Sequence, residues 1–361
     1  MYEQLRQRLE LSNIPALDGI RALAVALVIF YHAGLGTSGA LGVLVFFVLS
    51  GFLITWLLLK EDEKCGTISL KGFYRRRCLR IFPAFYCFLI ITVLLRIAVR
   101  HPVPWPTVWS SFFYYANYYY AIMRPAEKFM GHTWSLAVEE QFYLCWPLLF
   151  LVFRKNRKRL AWVTLGVIAL VVLRRTVLCL SGAPYQYTRF AFDCRADSLL
   201  WGCLLAVVLR GGFLRTFVGA ICRNAWLPLL TALVVALIAH TGVKDVVALT
   251  VLPPTVAILL CQLVVHSGGD GWGWLNSGVM KYLGQISYPL YLYHGIGLGI
   301  VSRWPVNRAV DLCVVVLFAV ATASLSYYFV ERPFLAYKRP RPVETPQLAF
   351  AGTMDSLGRS R

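Results

Sequence analysis

Residues 39–59 read GALGVLVFFVLSGFLITWLLL, a run of apolar and small residues with no charged side chain, closed by Lys60. A helix rises about 1.5 Å per residue, so a run of this length crosses the roughly 30 Å hydrocarbon core of a bilayer. Similar runs recur near 16–36, 81–99, 134–153, 160–180, 194–210, 225–241, 245–265, 282–302 and 309–330. Together they predict an all-α, polytopic membrane bundle of about ten transmembrane helices. The stretch WPTVWSSFFYYANYYYA at 105–121 is interrupted by proline and rich in tyrosine. It reads as an interfacial or re-entrant piece, because aromatic side chains favour the headgroup level.

Composition agrees with a membrane setting. Of the 361 residues 58% are hydrophobic and only 15% charged, and mean hydropathy is +0.63. Soluble domains carry about 25% charged residues. So much apolar surface excludes a disordered chain. The length excludes a disulfide-stapled secreted module. The formal charge is +19. In a soluble protein that excess would suggest nucleic acid, but here the cations lie between apolar runs, so they read as topology signals and contacts to anionic lipid headgroups. The ten cysteines contain no C-x-x-C pair, and most sit in or beside apolar runs, as small hydrophobes do. No metal site is expected from them. The first apolar run lacks a small-residue cleavage site, so it is expected to be a retained helix and not a signal peptide.

The loops set an orientation. Arg6 and Arg8, the group from Lys60 to Arg80, the RKNRKR run at 154–159, the arginines at 210, 215 and 223, Lys281 and the segment from Arg332 onward alternate with loops poor in cations. The positive-inside rule then places both termini in the cytoplasm. Residues 1–336 form one membrane-embedded domain, and 337–361, rich in proline and polar residues, is expected to be a disordered cytoplasmic tail.

Charged groups at membrane depth default to a functional hypothesis. Asp18, Arg21 and His32 share the first run. Eleven residues at 100° each is three turns plus 20°, so Arg21 and His32 lie on one helix face, about 16 Å apart along the axis. The plain alternatives are snorkelling for Arg21 and an interhelical hydrogen bond for His32. Arg75, Arg76, Arg77 and Arg80 precede the third run. They are either topology signals or a phosphate cradle, since guanidinium binds phosphate in a bidentate manner. His132, Glu139 and Glu140 open the fourth run, where a carboxylate either forms a structural ion pair or orients a histidine base. Arg195 and Asp197 open the sixth, with a structural salt bridge as the bland option. His294 is a further candidate, and Glu331 to Pro333 looks like a membrane-exit cap. No G-x-S-x-G, P-loop or H-E-x-x-H motif is present. A histidine base with a carboxylate partner near one face, and a basic phosphate site near the other, suits group transfer from a phosphorylated donor.

These residues sit in segments that resemble the integral-membrane acyltransferase type 3 family, bacterial enzymes that O-acylate sugars and other hydroxyl acceptors. IPALDGIRALAVALVIFYH resembles the family's opening, with its Arg-x10-His at Arg21 and His32. GVLVFFVLSGFLIT resembles its second helix, with Gly42, Ser50 and Gly51. RRRCLRIFP carries the R-x-x-R at Arg77 and Arg80, and HTWSLAVEEQFYLCWPL resembles the W-S-L-x-V-E-x-Q-F-Y segment, with the family glutamate at Glu139. RADSLLWG, ISYPLYLYH and VERPF resemble later segments. The resemblance covers about residues 12–336, and it departs at Ala22, where the family usually has glycine.

The resemblance implies an acyl-CoA donor, usually acetyl-CoA, reached from the cytoplasm, with no bound cofactor. Arg76, Arg77 and Arg80 would hold the nucleotide phosphates, Arg21 would line the entry path, and His32, held by Glu139, would be the general base. The acceptor would be a surface carbohydrate, a glycolipid or a small glycosylated metabolite. No hydrolase-like domain follows the last run, so the fused peptidoglycan-modifying subtype is not expected. The competing reading from another class is a transporter or flippase, with the same ionisable residues as its substrate path.

Overall fold

The structure, a computed structural model, is described over residues 1–11, 14–35, 39–123, 130–240, 245–269, 271–303 and 306–337. All regular structure among these residues is helical. The helices are α1 (Tyr2–Glu10), α2 (Pro15–His32), α3 (Gly39–Cys65), α4 (Leu70–Ala98), α5 (Trp105–Phe112), α6 (Ala116–Met123), α7 (Thr133–Phe153), α8 (Arg157–Leu180), α9 (Tyr185–Phe190) and α10 (Phe192–Gly211). They continue with α11 (Arg215–Ile221), α12 (Leu227–His240), α13 (Asp245–His266), α14 (Gly278–Gln285), α15 (Ser287–Arg303), α16 (Arg308–Leu325) and α17 (Arg332–Ala336). A π-turn over Ser326–Glu331 joins the last two.

Local chemistry sets the ends. Pro15 opens α2, where its missing N–H costs nothing. Ser69, Asn156 and Asn307 cap α4, α8 and α16 by accepting from the amides of Gly72, Arg159 and Val310. Each of the ten apolar runs is helical over most of its length, with 282–302 divided between α14 and α15 at Ile286. Among the described residues seven helices are long and apolar enough to cross a membrane, counting α16 through α17 as one. The others fall short for separate reasons. Helix α10 reaches α11 through a bend of 115°, and α12 has only 14 residues. Residues 105–121 fold into the two eight-residue helices α5 and α6, separated at Tyr114, whose φ of 54° stops a helix. The tail expected from 337 lies outside the described residues except for Tyr337.

Close helix crossings hold the bundle. At the α3–α10 crossing a Cβ on Gly51 would stand 1.9 Å from the Leu199 carbonyl oxygen, and one on Gly202 would stand 2.0 Å from that of Val48. Without a hydrophobic drive between helices in lipid, such backbone contact is what association uses. Large apolar side chains such as Leu94, Leu144, Val152 and Leu173 point outward, where lipid would cover them. Helix α2 lies inside, between α3, α14 and α15.

One end of the bundle carries a ring of ion pairs. Glu10 meets Lys60 and Arg210, Glu63 meets Arg157 and Arg210, and Asp62 meets Arg154. Helix α1, the last turns of α3, the RKNRKR run and the end of α10 therefore converge on the same end. Glu331 differs from the exit cap read in the sequence. It is 1% exposed, held inside the π-turn, and faces Arg80 at 3.7 Å.

Candidate active site

Two cavities lie along the face of α2 that carries Arg21 and His32. The inner one, nearer the ion-pair ring, has a volume of about 540 Å³. Arg21 from α2, Arg77 and Arg80 from α4, and Glu139 and Glu140 from α7 all face it. Each cation has a local partner. Asp18 accepts from Arg21 at 2.8 Å, Glu331 stands by Arg80, and Arg77 lies over the Tyr143 ring at 5.2 Å. Ser50 hydrogen-bonds Glu139 and lies 2.5 Å from the Tyr143 hydroxyl. Ser135, Glu139 and Tyr143 are spaced four apart, so α7 presents all three on one face.

The outer cavity measures about 660 Å³ and holds His32 and His132, with Arg189, Arg195, Arg308 and Asp311 on its wall. The His32 Nδ1 lies 2.9 Å from the Val28 carbonyl oxygen. That oxygen can only accept, so Nδ1 carries the hydrogen and Nε2 of the neutral ring carries the lone pair. His294, 1% exposed, sits behind: its ring centroid is 5.0 Å from those of both His32 and His132. Its own Nδ1 donates to the Tyr291 carbonyl at 2.7 Å. His132, 6% exposed, packs edge-on to Tyr291 with ring centroids 5.3 Å apart. Its Nε2 has no hydrogen-bond partner among the described residues. Arg195 lies over the rings of Phe47 and Trp134 at 5.8 and 6.0 Å.

This constellation lies within residues 14–331, the stretch that matches the family described as an acyltransferase domain. The chain belongs to that family. Over 211 residues it is 38% identical to a peptidoglycan O-acetyltransferase of Listeria monocytogenes, covering 54% of this chain and 34% of that protein. It is 31% identical over 352 residues to a candidate O-acetyltransferase of Staphylococcus aureus, covering 89% of this chain and 57% of that protein. A candidate peptidoglycan O-acetyltransferase of Bacillus subtilis is 30% identical over 355 residues, 89% of this chain and 54% of that protein. The chain thus spans about half the length, or less, of these curated relatives. No solved structure matches it.

Within this acyltransferase domain, the predicted residues divide more sharply than their spacing suggests. Arg21, Arg77, Arg80 and Glu139 share the inner cavity, whereas His32, His132 and Arg195 share the outer. The expected support of His32 by Glu139 is therefore corrected. The Val28 carbonyl holds the imidazole, and the carboxylate bonds Ser50 in the other cavity. Glu140 also faces the inner cavity, so α7 does not turn one glutamate in and the other away. Arg76 does not join the cradle: it is drawn to Glu61 at 2.7 Å. The structural salt bridge weighed for Arg195 and Asp197 is found at Asp197, whose partner is Arg175 on α8, at 2.9 Å with both side chains fully buried. Sequence reasoning missed Arg175, whose signal was a charge within the apolar run of α8. It also passed over Tyr143 and Tyr291, polar rings in quoted motifs whose roles depend on tertiary partners.

Proposed function

We propose that this acyltransferase domain is a membrane O-acetyltransferase that takes an acetyl group from acetyl-CoA in the inner cavity and places it on a carbohydrate hydroxyl in the outer one. The observation that carries this is the division of one helix face: α2 offers a guanidinium to a cation-lined cavity and an imidazole to a second cavity behind it. Positive-inside charge supports both termini, and the inner cavity, on the cytoplasmic side of a bacterial cell membrane, with about ten crossings. Acyl-CoA is made and kept there, and Arg77 and Arg80, with Arg21 deeper, offer charge-assisted hydrogen bonds to its phosphates. Two relatives are named for peptidoglycan, which supports a glycan, free or lipid-linked, as the acceptor.

The chemistry is general-base catalysis. The His32 Nε2 lone pair takes the proton of the acceptor hydroxyl as its oxygen attacks the thioester carbonyl. The C–S bond breaks, the C–O bond of the ester forms, and the proton passes from the imidazolium to the departing thiolate, so CoA leaves as the thiol. The Val28 carbonyl holds the tautomer that this requires, with the His294 ring packed behind. The test is free-thiol release from acetyl-CoA by the purified chain in detergent, with isolated peptidoglycan and a bacterial total-lipid extract as acceptors. Acceptor-dependent thiol release with acetyl recovered on the acceptor is expected. Neither thiol release nor CoA binding with any acceptor would overturn the proposal.

A further inference from the structure

We propose that Val43 on α3 and Tyr291 on α15 set the length of the acyl chain that this enzyme can transfer. The inference rests on the donor entering from the inner cavity and the acceptor standing in the outer one. If so, the acyl group must cross between them. Among the described residues that line the two cavities, Val43 and Tyr291 alone border both. Both are buried, at 7% and 5% exposure.

The partition they form is stiff. The Tyr291 hydroxyl donates to the His132 carbonyl at 3.0 Å and lies 2.6 Å from Ser135 Oγ. Its ring is held edge-on by Phe46 and His132, with centroids 6.1 and 5.3 Å away. Val43, the other residue that borders both cavities, is β-branched, with one strongly preferred rotamer in a helix. Its helix has no room to withdraw on the α2 side, because a Cβ on the adjacent Gly42 would already stand 2.5 Å from the Ala24 carbonyl oxygen. Tyr291 also accepts from His294 Nδ1 through its backbone oxygen, so the partition is tied to the imidazole cluster. A group passing between the cavities passes the Tyr291 ring, held by its hydrogen bonds and ring contacts, and the branched Val43 side chain. Acetyl presents one methyl beyond its carbonyl, and each further methylene adds volume at a point bordered by side chains that are held in place.

One misfitting methylene in an apolar pocket changes relative rates by roughly 10–200-fold. The experiment compares acetyl-, propionyl- and butyryl-CoA as donors, with peptidoglycan and total lipid as acceptors, in the wild type, Val43→Ala, Val43→Ile and Leu53→Ala. Leu53 lines only the inner cavity and is the control. The kcat/KM ratio of butyryl to acetyl should rise about tenfold or more in Val43→Ala and fall in Val43→Ile, with Leu53→Ala near the wild type. Ratios unmoved by either Val43 change would overturn the inference, as would an equal rise in Leu53→Ala, which would put the limit in the donor cavity. Using a ratio separates this from the function itself. A wild type with no acetyl transfer would sink the acetyltransferase reading, whereas robust acetyl transfer with a flat chain-length response would sink only the partition.

Discussion

Two sets of ionisable side chains lie at membrane depth, and they differ in what surrounds them. Arg175 and Asp197 bridge α8 and α10 with no exposed side-chain surface. Arg175 also donates to the Cys194 carbonyl at 2.7 Å and to Thr250 Oγ1 on α13 at 3.0 Å, so one guanidinium fastens three helices. Arg21 and His32, by contrast, each open onto a cavity, and Arg21 keeps 31% of its side chain exposed beside Asp18. By sequence alone both sets are charges in apolar helices and rank equally as functional candidates. The closed set fastens helices, and the open set is the one proposed as a site. A charge at depth therefore earns a chemical role only when space is left in front of it.

The largest expected effect tests the open set. His32→Ala should lower acyl transfer by roughly 10²–10⁴-fold, the usual contribution of a positioned base, while the detergent-purified protein melts at the wild-type temperature. Wild-type turnover in the variant would remove the base assignment. The closed set should respond in the opposite way. Arg175→Ala leaves Asp197 buried without its cation, which typically costs about 3–5 kcal/mol. Thermal melting should fall sharply, and activity per folded molecule should hold. Arg175→Met with Asp197→Leu should recover much of the lost stability, since an apolar pair of similar volume avoids the desolvation cost. A stable Arg175→Ala protein with lost turnover would break the comparison.

A smaller effect is expected from the guanidinium cradle. Arg77→Ala and Arg80→Ala should each raise the KM for acetyl-CoA by about tenfold or more, from hydrogen bonds to charged groups worth about 1.5–3 kcal/mol, and leave the acceptor KM near its starting value. Arg76→Ala is the internal control, because its side chain is held by Glu61 outside the cavity. Equal donor effects at all three positions would return these arginines to the status of topology signals.

What could be read in advance follows the physics of each signal. The all-helical architecture was legible because an apolar run of that length has few other stable forms in lipid, whereas the count of ten spans was not, since seven helices among the described residues meet that length and apolarity. Arg21 and His32 were legible as a pair because their spacing fixes a shared face on one helix. Partners across helices were not. Nothing in the chain order puts His294 against His32, sends Asp197 to Arg175 or draws Arg76 to Glu61, since those pairings arise from helix crossings set by contacts such as Gly51 on Leu199. The amphipathic α1, with Tyr2, Leu5 and Leu9 buried, was also missed, because nine residues fall below any membrane-span criterion.

The Glu139 carboxylate gives the subtlest test, because here the two levels of reading disagree. If it oriented the His32 imidazole, Glu139→Gln would shift the acidic limb of the pH profile for acceptor kcat/KM, as loss of a carboxylate partner lowers an imidazole pKa. In the structure its hydrogen bond goes to Ser50, in the cavity that also holds Arg77 and Arg21. The expected outcome is thus a change in acetyl-CoA KM with the acceptor pH profile unmoved. His294→Ala, which strips the ring behind His32, should move that profile while sparing the donor KM. Should the two variants exchange phenotypes, the division of labour between the cavities would fail, and the carboxylate would have to reach the imidazole in a conformation different from this one.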